Sequence, residues 1–238
     1  MKRDKKRDKE YFDHCIKHYS QEAKKLETEI NSFTDQFDSW ALSQKNLLLI
    51  TKTNILVAKY SRGDPLSELK KEFEELIDCF MKYWVFDEKL YNHLDNSDTH
   101  NYINDLRFAS LALLLNMDMQ IKNKIRNKMK EALYYDSFIE SILNDTDDLP
   151  DKENLAEPEH VKEFVCAAEN HNCDPLAEYL KKWYHDFKYD PWYKGFGIYD
   201  YWGKWSFAAA AVAKKYSLDD ECLKNDPFYP YDLAHFIE

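Results

Sequence analysis

The side chains able to do chemistry form five small groups. His14 and His18 stand four apart, the spacing that puts two imidazoles on one helical face as metal ligands. The residues between them, Cys15-Ile16-Lys17, lack the glutamate of a metalloprotease helix, and an amphipathic helix accounts for the pair. Cys166, His171 and Cys173 offer two thiols and an imidazole, one ligand short of the four that a structural zinc site takes. Ser206 follows Gly203-Lys204-Trp205 without the second glycine of a nucleophile elbow. Arg62-Gly63-Asp64 has the form of an adhesion tripeptide, yet reads as a helix stop followed by a cap. Asp232 and His235, three apart, are of the types that make a general acid–base pair. Their setting among scattered acids suits a helix end. No glycine-rich phosphate loop occurs. These patterns predict no catalytic residues, no metal and no cofactor.

Charge points instead to binding. The formal net charge is −11. Residues 1–144 hold 24 acids and 23 bases, whereas residues 145–238 hold 20 acids and 10 bases. Such a field in the last two-fifths of the chain repels nucleic acid and anionic membranes and attracts basic partners. The aromatic residues are also uneven: 17 of the 37 lie between 183 and 236. Tyr and Trp combine apolar area with a polar handle, which suits interfaces and pocket edges as well as cores.

The elements that position these residues read as helices. Phe12, Ile16, Tyr19, Ala23, Leu26 and Ile30 step by three or four. A second helix is predicted after Asp38, running from Trp40 through Leu47, Leu48, Ile55 and Ala58 and stopping near Gly63. Asp64 and Pro65 suit the start of a third, with the stripe Leu66, Leu69, Phe73, Leu76, Phe80 and Trp84. A fourth, capped by Ser97 or Asp98, buries Ile103, Leu106, Leu111 and Leu114. Further helices are expected over about 118–130, 134–143, 161–168, 176–187 and 201–216, with a last one opened by Pro230. Four glycines and no Asn-Gly turn argue against a β-rich fold. The expected class is all-α, a multi-helix bundle of two helical modules packed into one body. DTDDLPDKENLAEPE at 145–159, with seven acids, one lysine and two prolines, reads as an acidic linker or surface crossing. It divides an N-terminal helical module (1–144) from an aromatic-rich C-terminal one (160–238).

No apolar run approaches the ~18 residues of a membrane span, and no apolar region follows the charged N-terminus as in a signal peptide. The five cysteines form an odd set without a C-x-x-C pair, which suits reduced thiols. The expected location is the cytoplasm.

Several stretches together resemble one family. They are RDKKRDKEYFDHCIKHY at 3–19, KTNILVAKYSRGDPLSELKKEFEEL at 52–76, DLRFASLALLLNMD at 105–118, YWGKWSFAAAAVAKKYSLDD at 201–220 and DPFYPYDLAHF at 226–236. In this order they are similar to the PoNe immunity proteins (PoNi), over nearly the whole chain. Ala208 and Lys215-Tyr216-Ser217 depart from the family's usual residues at those positions. The resemblance implies an α-helical, non-enzymatic protein. It would neutralise a cognate polymorphic DNase toxin delivered between competing bacteria by contact-dependent (type VI) secretion. The residues add a physical reason: an acidic module is steered to the basic cleft of a DNase and competes there with DNA. The candidate charged contacts are Asp147, Asp148, Asp151, Asp200, Asp219 and Asp220, and the candidate anchors are Trp192, Tyr193 and Tyr199. A helical adaptor for another basic protein is the alternative. Neither direct nucleic-acid binding nor membrane binding is expected.

Overall fold

Asp8 opens the first helix by accepting a hydrogen bond from the Tyr11 amide at 2.7 Å, satisfying one donor that the helix start leaves unpaired. In the computed structural model, which describes residues 2–86, 98–186 and 200–237, this helix, α1, runs Lys9–Ser32. Its buried face is Phe12, Cys15, Tyr19, Ala23, Leu26 and Ile30; Cys15 takes the innermost place expected of Ile16. Asp38 caps α2 (Ser39–Arg62) through the Trp40 amide at 2.9 Å. The helix ends at Gly63, whose φ of 102° is the left-handed conformation that favours glycine. Asp64 does not cap α3 (Leu66–Tyr83) as predicted. Pro65 occupies that position, and the Asp64 carboxylate is held by Arg62, which also reaches Asp13 at 2.6 Å.

The described residues contain ten α-helices and no strand, so the fold is all-α. They fall into two compact units, Met1–Leu94 with Asp190–Gly203, and Asp95–Tyr189 with Lys204–Glu238. This partition by compactness differs from the one that charge draws at 145–159.

In the first unit α1 packs on α2, and α2 on α3. Tyr201 ties the later segment into this group. Its amide donates to the Tyr19 hydroxyl at 2.6 Å, and its ring meets Phe12 edge-on. Its hydroxyl donates to the Asp4 carboxylate at 2.9 Å and lies 2.9 Å from Ser61 Oγ. Trp40 and Leu47, two apolar residues of α2, are exposed. Because α2 buries residues around most of its circumference, apolar spacing alone does not reveal which stripe faces water.

The second unit comprises α4 (Asp98–Leu114), α5 (Met119–Glu131), α6 (Ser137–Leu143), α7 (Pro158–Asn170), α8 (Asp174–Asp186), α9 (Phe207–Lys215) and α10 (Tyr231–Ala234). The hub is α9, which packs against α4, α6, α7 and α10. Residues 207–213 are all buried, as a helix apolar on every side must be. Its alanines let four neighbours approach, and Phe138 and Phe164 from two of them are fully buried and stacked 5.6 Å apart. The predicted start at Tyr201 is corrected to Phe207. Gly203 adopts φ 96°, the Ser206 amide is bound to Phe228 O at 2.9 Å, and Ser206 Oγ caps α9. These features hold residues 201–206 out of helical conformation.

Candidate functional site

The exposed acids of the second unit are presented by a strap across its surface. From Asp145 to Glu157 the chain forms only one short 3-10 turn, Lys152–Asn154, since consecutive like charges disfavour a longer helix. Side chains from the helices fasten it at several points. Lys215 Nζ donates to Asn144 O at 2.8 Å and the Tyr216 hydroxyl to Asp148 O at 3.2 Å. Ser137 Oγ donates to Asp151 O at 2.6 Å, and buried Asp136 accepts from the Ala156 amide at 2.8 Å. The strap's backbone is thereby fixed while its carboxylates face water.

Asp147, Asp148 and Asp151 are all exposed. Asp148 accepts from Thr146 Oγ1 at 2.6 Å. Asp151 starts the 3-10 turn, accepting from the Glu153 amide at 3.0 Å and Asn154 Nδ2 at 2.6 Å. Behind them stand Lys122 and Lys215, whose ammonium groups burial pushes below the usual lysine range. Asp145 opposes that shift in both, and Asp147 and Asp148 in Lys215. The patch is therefore partly neutralised on its inner side and anionic on its outer side. Exposed Leu149 interrupts it, and Leu133 and Tyr135 are exposed before α6. Sequence reasoning passed over these three because a lone apolar residue in a polar stretch has no periodicity to mark its direction.

Asp219 and Asp220 belong to a different locality, beside Cys173 and Asp174. Asp219 is exposed and accepts from the Glu221 amide at 3.3 Å. Asp220 is only 4% exposed, and its two oxygens are engaged inside the protein. One accepts from the Tyr229 hydroxyl at 2.5 Å, and the other lies 2.7 Å from His235 Nε2. Asp220 is thus a carboxylate partner of the His235 imidazole, and the arrangement staples α10 to the turn before it. Burial, followed by the Asp220 carboxylate, raises the Tyr229 phenol far above its ordinary value, so it acts as a permanent donor.

Asp200, in the first unit, is half-buried and lies 3.8 Å from His18 Nε2. Trp192, Tyr193 and Tyr199 lie outside the described residues. The remaining chemical groups have local roles. His14 Nδ1 lies 2.9 Å from Glu10 O. His171 holds the left-handed cap of α7 at φ 46°. Cys166 Sγ accepts from Asn170 Nδ2 at 3.2 Å. Among the described residues no three His, Cys, Asp or Glu side chains are grouped as a metal site, and no helix is long and apolar enough to cross a membrane.

The described residues thus form an all-α protein with exposed carboxylates held on a fixed strap. The chain belongs to the PoNe immunity protein (PoNi) family: the N-terminal family model matches residues 3–127 and the C-terminal one residues 129–233. Membership makes it an immunity protein with a toxin partner, in a family that is generally non-enzymatic. Its fold is similar to that in the crystal structure of protein PA2201 from Pseudomonas aeruginosa. The two are 17% identical, with a TM-score of 0.58 over 92% of this chain and 87% of that one. No curated protein matches the chain.

Proposed function

We propose that this protein binds and neutralises a cognate polymorphic DNase toxin in the bacterial cytoplasm, using acidic and aromatic surface residues. The observation that carries the reading is the fixed strap of exposed carboxylates, Asp147, Asp148 and Asp151, in a protein of an immunity family. A DNase must offer cationic groups to phosphates. An anionic surface raises the rate of encounter with such a cleft and repels the DNA that competes for it. Asp219 and Asp200 extend the anionic surface of their own units, and Trp192, Tyr193 and Tyr199 supply aromatic anchors. Asp220 contributes by holding its turn in place. The C-terminal module, 160–238 with the 145–159 strap, carries the larger share of the charge. The protein performs no catalysis and binds neither nucleic acid nor membrane directly. Delivery of the toxin by type VI secretion fits this role.

Co-expression with the nuclease encoded beside the immunity gene tests the proposal. Growth is rescued, the two proteins co-elute, and DNA cleavage by the purified nuclease stops at stoichiometric immunity protein. A purified, folded chain that neither binds nor inhibits that nuclease refutes it. Recovery of a basic non-toxin protein in its place favours an adaptor.

A further inference from the structure

Among the described residues of the first unit, the large exposed apolar side chains lie at the connection between α1 and α2 and on the first turns of α2. Phe37 is 85% exposed, Trp40 56% and Leu47 46%. Trp40 and Leu47 are seven residues apart on α2, which places them on one side about 10 Å from each other. Half-buried Ser43 and Ile50 continue the stripe at helical spacing. These side chains leave apolar and aromatic surface facing water that the packing of the first unit does not use.

The corner is held rigidly. Gln36 Nε2 donates to Ile30 O at 3.0 Å and to Phe33 O at 2.9 Å. Lys45 Nζ donates to Gln36 O at 2.6 Å. The Asp35 carboxylate accepts from the Phe37 amide at 2.8 Å, and Asp38 from the Trp40 amide at 2.9 Å. Glu29 accepts from the indole Nε1 at 3.2 Å, which orients the ring. A partner meeting these residues would have little ordering entropy to overcome.

The charge around the rings is mainly negative, with one internal cation: Lys45 Nζ lies 5.9 Å from the centre of the Phe37 ring, and of the nearby acids Glu27 is paired with Lys52 at 2.6 Å. Between Lys25 and Lys45 the chain has four acids, Glu27, Glu29, Asp35 and Asp38, and no lysine or arginine. Lys45 itself is buried. Aromatic faces alone would suit nucleic-acid bases or apolar surfaces, but a rim of carboxylates repels phosphates and anionic lipid. Both the ring faces and the carboxylates attract guanidinium and ammonium groups.

We propose that the α1–α2 corner is a docking surface for an arginine- and lysine-rich protein face on the toxin, with Trp40 as the cation–π anchor and Phe37 and Leu47 as the apolar contacts. The inference rests on the toxin-neutralising reading above and adds a surface to it, away from the acidic strap in sequence and carried by the first unit.

The test uses the full chain and the nuclease encoded beside it. All three residues are exposed, so Phe37→Ala, Trp40→Ala and Leu47→Ala retain the wild-type melting transition. Trp40→Ala weakens binding by about 30-fold, the loss typical of an interface hot spot. Trp40→Phe, which keeps an aromatic face, retains most of the affinity, whereas Trp40→Leu, which keeps apolar area only, does not. Wild-type affinity in Trp40→Ala and in a folded Trp40→Arg variant overturns this inference and leaves the immunity function standing. Equal binding by Trp40→Leu and Trp40→Phe overturns the cationic partner. A concentration-dependent wild-type dimer abolished by Trp40→Ala, with nuclease affinity unchanged, assigns the face to a second copy and also overturns the inference. Failure of the wild-type chain to bind the nuclease refutes the functional reading itself.

Discussion

Replacing Tyr201 by phenylalanine tests how the opening of the YWGKWSF segment is anchored. The phenol donates to Asp4 Oδ2 at 2.9 Å and lies 2.9 Å from Ser61 Oγ. Asp4 is 3% exposed and Ser61 fully buried, so water does not readily replace the lost hydroxyl. A hydrogen bond to a charged group contributes about 1.5–3 kcal/mol and a neutral one about 0.5–1.5 kcal/mol. The two share an oxygen and are not additive. Asp4 retains the Lys6 amide at 3.0 Å, and the ring keeps its packing on Phe12. Together these give a loss of about 2–3 kcal/mol for Tyr201→Phe. With a urea m-value of roughly 2–3 kcal/mol/M, the midpoint falls by about 1 M at unchanged m. Ser61→Ala should cost less, and the double variant less than the sum of the singles. Equilibrium urea unfolding followed by far-UV circular dichroism reads all three. A Tyr201→Phe loss below about 0.5 kcal/mol, the level of an ordinary surface change, would refute the reasoning that this buried network anchors the segment.

Asp220→Ala removes the acceptor of both Tyr229 and His235 and should destabilise the second unit by about 2–3 kcal/mol, read from the same unfolding curves. Asp147→Lys leaves the melting temperature unchanged, because the side chain is exposed. It slows association with the nuclease several-fold at low salt and weakens the salt dependence of that rate, as stopped-flow mixing would show. Gly203→Ala costs about 1 kcal/mol or more, since a Cβ opposes φ 96°, and a thermal melt detects it. His160 packs edge-on between Tyr102 and Tyr179, and burial pushes its imidazole down to about 4. The unfolded chain therefore takes up this proton first as the pH falls. Stability declines between about pH 6.5 and 4, by up to about 3 kcal/mol from this group. His160→Phe should flatten that part of the stability profile relative to wild type.

The amino-acid sequence by itself determined the all-α class and most of the helices. Period and capping are local properties: the Phe12–Ile30 and Leu69–Trp84 stripes, the stop at Gly63 and the cap at Asp38 need only neighbouring residues. It also determined the family, because five motifs in a fixed order are a property of the sequence. Its charge distribution marked 145–159 as exposed, and the strap is indeed anionic outward. What the tertiary structure alone decided was direction and partnership. Whether Trp40 and Leu47 face the core or water depends on which sides of α2 the neighbouring helices occupy. Whether an acid is available or already committed depends on groups distant in sequence. Asp147 and Asp220 are the same residue type in similarly acidic stretches, yet one projects into solvent and the other is held by Tyr229 and His235. Residues 201–206 read as the first turns of a helix because spacing carries no record of Phe228, whose carbonyl binds the Ser206 amide and delays the helix to Phe207. Local interactions establish the helices; long-range packing selects the side chains that remain free to meet a partner.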